Sequence, residues 1–466
     1  MSDGDPGCKL PSENLKFYEK DGDIIFGALI PVHLEPSNIK TNFSSKPSMG
    51  KCNKLSVFCY LQVLAMVFAI NEINENPELL PNITLGFRIY DSCFNEMQAV
   101  NGALQLLSGA EKANPNYISL SYLSNKINFP SFLRTIINDK IDSFYFKMLM
   151  IHFNWTWIGI LAADNDFDLY DSELMRKDIE AAGICVAFFM RISAQHTRDQ
   201  TLSILQIIKK STATVVVLYC SMPELIPFIK VATKENITGK VWVASGSVST
   251  SPIFSYKEFW RTLNGTIGQK FPLTIIPGFG KFLYSIHPSL YPNDIFMKSF
   301  WEANFGCLWP NETPVNGSFY CTGQENLTTL ERQGYNEAAS VFASLIYNAV
   351  YILAHGINNM ISCRSGYPCL TISRLDPWKI LQFVKGVRIR NTAGQELFFD
   401  ENGDLNSYNE YVNWQALPNG ETQYVNFATL KETPESHIVL SNNTIFWSGG
   451  YTEVCANNIL LFFARE

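Results

Sequence analysis

The feature that most constrains the fold is a regular alternation of strand-like and helix-like segments between residues 155 and 244. Short apolar runs, typical of buried strands, alternate with amphipathic stretches typical of helices. Strands joined by crossover helices form parallel sheets with right-handed connections. The segments predicted as strands are 155–163, 184–192, 214–219 and 240–244, and those predicted as helices are 171–182, 202–210 and 224–233.

The same two patterns occur outside this region. The N-terminal part predicts a buried strand, a helix and an alternating strand, and a later part predicts a long helix followed by antiparallel strands that turn at residues 400–403. These segments are 23–30, 61–73, 83–90, 338–360 and 387–415.

A chain of 466 residues is too long for one ordinary core and suits two. We therefore predict an α/β protein with two parallel-sheet lobes, between which the chain passes more than once. Open parallel sheets bind ligands beyond the carboxyl ends of their strands, so two facing lobes predict a hinged, ligand-binding cleft. The predicted divisions are 22–138 and 273–405 for lobe 1, 139–272 and 406–447 for lobe 2, and 448–466 for an atypical tail.

Charge and modification motifs indicate the compartment. The net charge of −7 offers no basic face to a nucleic acid. Nine Asn-x-Ser/Thr sequons occur, some of them expected by chance, but three crowd into residues 311–328 beside two cysteines, as in a glycosylated extracellular loop. The sequence shows neither a signal peptide nor a run long enough to cross a bilayer, so we expect both in a larger parent protein. The sequon asparagines are Asn42, Asn82, Asn154, Asn236, Asn264, Asn311, Asn316, Asn326 and Asn442.

Motifs of catalysis and of cofactor or metal binding are missing from the sequence. The six histidines are scattered, and HExxH, CxxC, GxSxG and phosphate-binding glycine loops do not occur. Residues 164–168 resemble the start of an EF-hand loop, but Leu169 and Met175 stand where glycine and glutamate are required. We predict no enzyme, no cofactor and no metal, and residues 164–168 form either a solvated loop or a strand end that borders the cleft.

Cysteine spacing makes three disulfides plausible without fixing their connectivity. Two cysteines flank a loop with two sequons, two bracket a short turn, and two stand before a helix and after a strand that are expected to be neighbours. These residues are Cys307 and Cys321, Cys363 and Cys369, and Cys52 and Cys93.

Many short stretches in one order resemble the extracellular region of class C G-protein-coupled receptors. Two of them, LPNITLG at residues 80–86 and FPSFLRT at 129–135, resemble the vomeronasal type-2 branch in particular, with calcium-sensing and taste receptors as relatives. The resemblance runs from about residue 22 to residue 447, through 22–33, 68–74, 80–93, 129–135, 155–159, 277–279, 300–301, 321–323, 347–355 and 413–415.

The resemblance implies a Venus-flytrap fold, like that of type I periplasmic binding proteins. Such a fold closes on a ligand and reports closure through a receptor dimer to a seven-helix domain that activates a G protein. It also supports the three cysteine pairs as disulfides and places the chain on the extracellular side of the plasma membrane, as part of a full receptor.

The amino-acid pocket of the family can be carried over residue by residue. Ser119 falls where a hydroxyl helps to hold the ligand carboxylate, and Asp139 and Ser221 match other pocket positions. Phe167 stands where the family has a tyrosine, so a hydroxyl is lost. Gly246 stands where a glutamate often pairs with the ligand ammonium, and without it that ammonium would be left unpaired. For Ser119 and Ser221 the alternative is an ordinary strand-end residue.

Two departures from the family stand out. Between residues 109 and 117 the family has a further strand, helix and loop of lobe 1, and their loss would leave unpaired backbone groups and an open core. Cys185 resembles the cysteine that tethers lobe 2 to a cysteine-rich domain; here it pairs with Cys455 or remains free. The sequence leaves the state of Cys8, Cys59 and Cys220 open.

Three functional hypotheses follow. The leading one is the ligand-binding region of a chemosensory, pheromone-type receptor that closes on a peptide or small polar molecule. The second is a soluble non-signalling decoy or the product of an incomplete receptor transcript. The third is an enzyme or transport protein on the same bilobal scaffold, since a fold does not determine function.

Overall fold

The computed structural model describes residues 15–34, 54–93, 95–108, 131–135, 139–249, 252–270, 276–310, 319–329, 334–362, 377–391, 394–406, 410–418, 421–431, 437–441 and 445–448. The chain divides into two compact units. Unit 1 comprises Met1–Thr135 and Thr274–Leu405, and unit 2 comprises Ile136–Leu273 and Asn406–Glu466.

Unit 1 is built around a small sheet with strand order β1-β5-β2, in which β2 runs parallel to β5 and β1 runs antiparallel to it. Its elements are β1 (Phe17–Lys20), β2 (Ile24–Ile30), β3 (His33–Leu34), β4 (Lys54–Leu55), α1 (Val57–Glu75), β5 (Leu85–Asp91), α2 (Glu96–Ser108), α9 (Phe279–Ser285), α10 (Met297–Phe305), β11 (Cys307–Leu308), β12 (Phe319–Tyr320), α11 (Gly334–Ile361), α12 (Pro377–Lys385), β13 (Ile389–Arg390) and β14 (Glu396–Leu397).

Helix α1 is the centre of the unit 1 core. Ser56 caps its first turn by accepting a hydrogen bond from the Cys59 backbone N–H. Along the helix, Tyr60, Val63 and Ile70 are fully buried. Among the described helices, α1 alone is long and apolar enough to cross a membrane, but most of it is buried inside this unit. Its composition is therefore explained by its place in the core.

Strand β2 lies at one end of the described sheet. Within the described part of the chain, its only strand neighbour is β5. Ile25 and Leu29 are 44% and 36% exposed, although the strand reads as a continuous apolar run typical of a sheet interior. The segment for which the family has a further strand falls within residues that the structure does not describe.

Unit 2 contains an eight-stranded sheet with strand order β17-β16-β15-β10-β9-β8-β6-β7. Strands β7, β6, β8, β9 and β10 are parallel, and β15, β16 and β17 extend the sheet in antiparallel fashion. The elements are α3 (Asp139–His152), β6 (Trp157–Ala163), α4 (Asp166–Ala181), β7 (Cys185–Ile192), α5 (Arg198–Lys210), β8 (Val215–Tyr219), α6 (Met222–Lys234), β9 (Val241–Ala244), α7 (Gly246–Ser249), α8 (Trp260–Leu263), β10 (Ile267–Lys270), β15 (Glu410–Ala416), β16 (Thr422–Lys431) and β17 (His437–Leu440).

Both faces of the central strands of the unit 2 sheet are buried. Every residue of β8 and β9 is buried, and so is β6 after its first residue. Successive side chains enter different cores: Val216 and Leu218 belong to one apolar cluster, and Val215 and Val217 belong to another. This explains why these strands are continuous apolar runs in the sequence.

The predicted strands and helices of unit 2 are confirmed, with shifted ends. The helix predicted from residue 171 begins at Asp166, because Asn165 caps it. The antiparallel character predicted for 387–415 is confirmed, and Phe399 and Leu405 form an antiparallel bridge across the predicted turn at 400–403. The stretch is not one region, however: β13 and β14 pair with each other, whereas β15 belongs to unit 2 and pairs with β10 and β16. Both partners of β15 lie outside the predicted stretch, so the local pattern did not reveal them.

Of the three predicted cysteine pairs, two have at least one member among the described residues. The structure joins Cys307 to Cys321, with Cα atoms 5.0 Å apart. Cys93 is disulfide-bonded, and its predicted partner Cys52 lies outside the described residues, as do Cys363, Cys369 and Cys455. Cys59, Cys185 and Cys220 are free, and of these Cys185 is exposed.

Trp242→Ala is expected to lower the free energy of unfolding by about 3–5 kcal/mol, because it opens a large cavity beneath β9. The Trp242 side chain is 1% exposed. Chemical denaturation followed by circular dichroism measures the change.

Trp157→Ala is the matched control, because Trp157 lies on the same sheet and is 44% exposed. Its loss is expected to cost about 1 kcal/mol or less. Equal destabilisation by the two variants would contradict the burial described for this sheet.

Candidate functional site

The carboxyl ends of β6, β8 and β9 meet at one edge of the unit 2 sheet, because the three strands are parallel neighbours. Each strand is followed within a few residues by the start of a helix. Asn165 is the N-cap of α4, Ser221 is the N-cap of α6, and Ser245 directly precedes α7. Polar side chains are favoured at these positions because the first backbone N–H groups of a helix lack partners. We call this edge the unit 2 strand-end site.

Asp168 is the buried acid of the unit 2 strand-end site. Its backbone N–H donates to Asn165 Oδ1 at 2.8 Å, and its Oδ2 accepts from Asn165 Nδ2 at 2.8 Å. The residue is 5% exposed, and it lies in the first turn of α4, where the helix dipole favours a negative charge.

Ser221 connects two strand ends. Its hydroxyl does not cap α6; it donates to Asp168 Oδ2 at 2.6 Å. The chain after β8 is thereby tied to the chain after β6. Ser221 remains partly exposed, so a bound molecule could also reach its hydroxyl.

Glu224 places a second carboxyl beside Asp168. It lies in the first turn of α6, and its Oε2 atom is buried without a hydrogen-bond partner among the described residues. Burial raises the pKa of Asp168, against the opposing hydrogen bonds from Ser221 and Asn165. Burial, together with the charge of Asp168, raises the pKa of Glu224. The site thus brings together two carboxyl groups whose ionised forms are disfavoured by burial.

A free thiol lies beneath these acids. Cys220 is fully buried, and burial and then the neighbouring Asp168 and Glu224 carboxylates raise its thiol pKa well above the ordinary value. A thiol held protonated is a poor nucleophile, so Cys220 serves as a small apolar residue of the core.

Hydroxyl groups continue along the edge to β9. The Ser245 and Ser247 hydroxyls are 3.1 Å apart, and Ser247 Oγ donates to the Cys220 carbonyl at 3.4 Å. The Ser245 backbone N–H donates to the Leu218 carbonyl at 3.0 Å, which holds this turn against β8. Ser247 is exposed, so the edge offers both hydroxyl and carboxyl groups to a ligand.

The predicted pocket residues are only partly brought together. Ser221 and Gly246, the buried first residue of α7, lie at the unit 2 strand-end site. Phe167 is the second residue of α4 at the same edge, and Asp139 is the first residue of α3, but their side chains are outside the described set. Ser119 lies entirely outside the described residues.

Sequence reasoning missed Asp168 and Glu224 as members of the site. It left residues 164–168 as either a solvated loop or a strand end that borders the cleft, and it singled out neither acid as a binding residue. Asp164 is exposed at the end of β6, whereas Asp168 is buried in a helix that runs from Asp166 through the positions of an EF-hand loop. The sequence feature that could have indicated this helix start is an asparagine followed three residues later by an acid, a spacing that resembles a capping box.

The strand ends of unit 1 carry a buried, hydrogen-bonded pair, His33 and Asp91. His33 Nδ1 lies 2.6 Å from Asp91 Oδ2, with side chains 1% and 0% exposed. Asp91 Oδ1 accepts from the backbone N–H groups of His33, at 3.2 Å, and of Cys93, at 2.9 Å. These bonds position the disulfide-bonded Cys93, which has a left-handed backbone with φ of 54°. The pair therefore links the segment that follows β2 to the end of β5.

Comparison with known proteins identifies the relatives of this chain. The family described as "Receptor family ligand binding region" matches residues 61–114 and 115–415. The break between the two matches lies inside the 109–117 interval at which a lobe 1 segment was predicted to be missing.

Three relatives illustrate the range. The human extracellular calcium-sensing receptor is 29% identical over 94% of this chain and 48% of its own length. Mouse vomeronasal type-2 receptor 26 is 24% identical over 92% of this chain and 56% of its own, and chimpanzee taste receptor type 1 member 2 is 27% identical over 87% and 52%. The chain spans about half the length of these relatives.

Asp168→Asn is expected to flatten the dependence of unfolding free energy on pH. The raised pKa means that the folded protein holds this proton more tightly than the unfolded chain does. The free energy of unfolding of the wild type therefore falls as pH rises from the pKa of the unfolded chain, about 3.9, through the pKa of the folded protein. Asp168→Asn lacks this titration, so its free energy of unfolding should increase relative to that of the wild type over the same pH range. Urea denaturation at pH 4 to 7 measures the difference.

Asp164→Asn is the control, because Asp164 is 46% exposed and lies four residues earlier, directly after β6. It should leave the pH slope of the wild type unchanged. A slope in Asp168→Asn equal to that of the wild type would show that Asp168 does not bind its proton in this way.

Proposed function

The chain belongs to the family of receptor ligand-binding regions, and on that premise we propose that it serves a chemosensory class C G-protein-coupled receptor. It corresponds to the extracellular ligand-binding region of such receptors. Pheromone-type sensing, the receptor dimer and G-protein activation through a seven-helix domain are proposals that rest on the resemblance. The relatives are receptors, which supports binding over catalysis.

The observation that carries the proposal is the Ser221–Asp168 hydrogen bond at the unit 2 strand-end site. Ligands of open parallel sheets bind where strand carboxyl ends meet, and here that edge holds accessible hydroxyls beside buried acids. Ser221 was selected from the sequence as a pocket residue, and its hydrogen bond to the buried Asp168 carboxyl supports that proposal. Asp139, Ser119, Phe167 and Gly246 remain proposed ligand contacts.

We propose that the ligand is a small polar molecule or peptide with a positively charged group. Gly246 supplies no carboxylate where the family often has one, whereas Asp168 and Glu224 supply two at the neighbouring strand ends. An ammonium or guanidinium group there would neutralise a buried charge and satisfy Glu224 Oε2. The unpaired ammonium expected from Gly246 alone would thereby find a partner.

Ser221→Ala is expected to weaken binding of a cationic amino acid or basic peptide by about tenfold, because about 1.4 kcal/mol of hydrogen bonding is lost. Isothermal titration against a panel of basic, neutral and acidic amino acids and short peptides tests this. Binding of basic compounds should strengthen as the pH rises above the ordinary carboxyl range, because the pKa values of both acids are raised and they ionise only there.

Ser203→Ala is the matched control, since Ser203 is exposed in the middle of α5 and its hydroxyl donates to the Asp199 carbonyl of the same helix. It should bind as the wild type does. A ligand whose affinity is unchanged by Ser221→Ala, Asp168→Asn and Gly246→Ala would overturn the site, and a preference for acidic compounds would overturn its proposed chemistry.

A shortened, non-signalling form is the second candidate function, and the break in the family match between residues 114 and 115 favours it. We expect the chain, expressed through the secretory pathway, to be recovered as a monodisperse species that binds ligand with unit 2. Size-exclusion chromatography with light scattering measures this. Recovery only as aggregates would favour the product of an incomplete transcript over a decoy.

A further inference from the structure

Strand β2 of unit 1 has one open edge, because within the described residues it pairs only with β5, which lies on its other side. Soluble proteins usually keep such edges from pairing with other chains by means of charged residues, prolines, bulges or short strands. The seven residues of β2 include neither a charged residue nor a proline, and their register with β5 is continuous. The usual protections are therefore missing from this strand.

Strand β1, at the opposite end of the same sheet, provides an internal contrast. It has only four residues, and two of them, Glu19 and Lys20, are charged and exposed. Glu19 accepts a hydrogen bond from Arg88 of β5 at 2.7 Å, and Lys20 donates to Asn71 of α1 at 3.0 Å. Edge protection of the ordinary kind is thus present on β1 and missing from β2.

Alternate backbone groups of β2 point out of the sheet. The Ile24 N–H donates to the Thr84 carbonyl at 3.2 Å, and the Ile30 carbonyl accepts from the Ser92 N–H at 3.1 Å, so the even-numbered residues direct their backbone groups toward β5. In a parallel ladder the residues between them direct both N–H and C=O to the other side. Their outward groups have no strand partner in the described part of the chain. These residues, all exposed, are Ile25, Gly27 and Leu29.

The outward groups of β2 are complementary to those of a second copy of the same strand. When two β2 strands lie antiparallel about a two-fold axis at Gly27, Gly27 faces its own copy and Ile25 of each chain faces Leu29 of the other. Each facing pair exchanges two N–H···O bonds, because both members direct their backbone groups outward. Facing side chains lie on the same side of the sheet, so Ile25 and Leu29, which are 44% and 36% exposed, would cover each other twice.

Charge and size indicate what kind of complex this edge can form. Like charges do not meet in the two-fold arrangement, because residues 24–30 carry no charge. A strand of seven residues is about 23 Å long, and pairing along its edge buries less than the roughly 800 Å² per partner of a standard interface. The edge therefore suits a reversible dimer.

We propose that two copies of this chain associate through β2, antiparallel about Gly27, so that the two unit 1 sheets join into one continuous sheet. The contact is a property of this strand edge, and it forms in the isolated chain without a seven-helix domain. It is independent of the ligand site proposed in unit 2.

Cysteine cross-linking tests the register of this pairing. Ile25→Cys and Leu29→Cys are made separately, each in a chain that also carries Cys185→Ser to remove an exposed free thiol. Facing Cα atoms of a hydrogen-bonded antiparallel pair lie about 5.5 Å apart, which a disulfide can span. Under mild oxidation a mixture of the two variants should therefore give a disulfide-linked dimer.

Each cysteine variant alone is the control, because two copies of the same position lie four residues out of register, about 13 Å apart along the strands. Either variant alone should stay largely uncross-linked. Failure of the mixture to cross-link, or equal cross-linking by one variant alone, would overturn the proposed pairing.

Sedimentation equilibrium at up to about 100 μM, a range that detects micromolar affinity, measures the association itself. The wild type should show a monomer–dimer equilibrium. The double variant Ile25→Lys/Leu29→Lys should weaken the dimer by about tenfold or more, because each lysine would face another lysine. Both positions are exposed, so the fold should be retained, as circular dichroism would verify.

Phe17→Lys is the matched control, because Phe17 is 41% exposed on β1, at the other end of the same sheet. It should dimerise as the wild type does. A wild type that stays monomeric, a dimer unaffected by the double variant, or equal weakening by Phe17→Lys would overturn the proposal.

Discussion

Burial of the unit 2 sheet on both faces is the constraint on which the rest of this unit depends. Because β6, β8 and β9 are covered on both sides, they contain almost exclusively apolar residues, and polar groups are confined to the strand ends. At the carboxyl edge the helices begin, and the first backbone N–H groups of each helix need side-chain oxygens as hydrogen-bond acceptors. Asn165 meets this requirement for α4, and Asp168 follows in the first turn of the same helix.

The same packing gives the edge its electrostatic character. Asp168 is removed from water at the end of β6, and its carboxylate is met by two hydrogen-bond donors, Ser221 and Asn165. Glu224 adds a second acid whose Oε2 lacks a partner among the described residues. Burial raises the pKa of both carboxyls because it destabilises their ionised forms. A cation bound beside them would stabilise the ionised forms by electrostatic attraction. In the proposed site, the atoms that hold the helix starts together are also those offered to the ligand.

Sequence alone predicted those parts of the fold that are set by local pattern. The apolar runs of β6, β8 and β9 identified strands to within two residues at each end, because both-sided burial leaves an unmistakable composition. The start of α4 was misplaced by five residues, since residues 164–168 were interpreted as a solvated loop or a strand end and not as the first turn of a helix. The β10–β15 pairing joins distant parts of the chain, and a local pattern contains no record of such partners. The Ser221–Asp168 bond likewise spans 53 residues, so Ser221 could be selected while its partner could not.

Hydrogen–deuterium exchange of the chain, with and without the first amino acid or peptide of the panel that binds, tests the central claim most directly. Backbone N–H groups report local opening, and a ligand held at the unit 2 strand-end site should slow exchange there. The account predicts new protection at residues 164–168, 220–224 and 245–248, with none at the amino edge around Asn154 and Asn236. Protection at the amino edge, with the strand carboxyl ends unchanged, would contradict it.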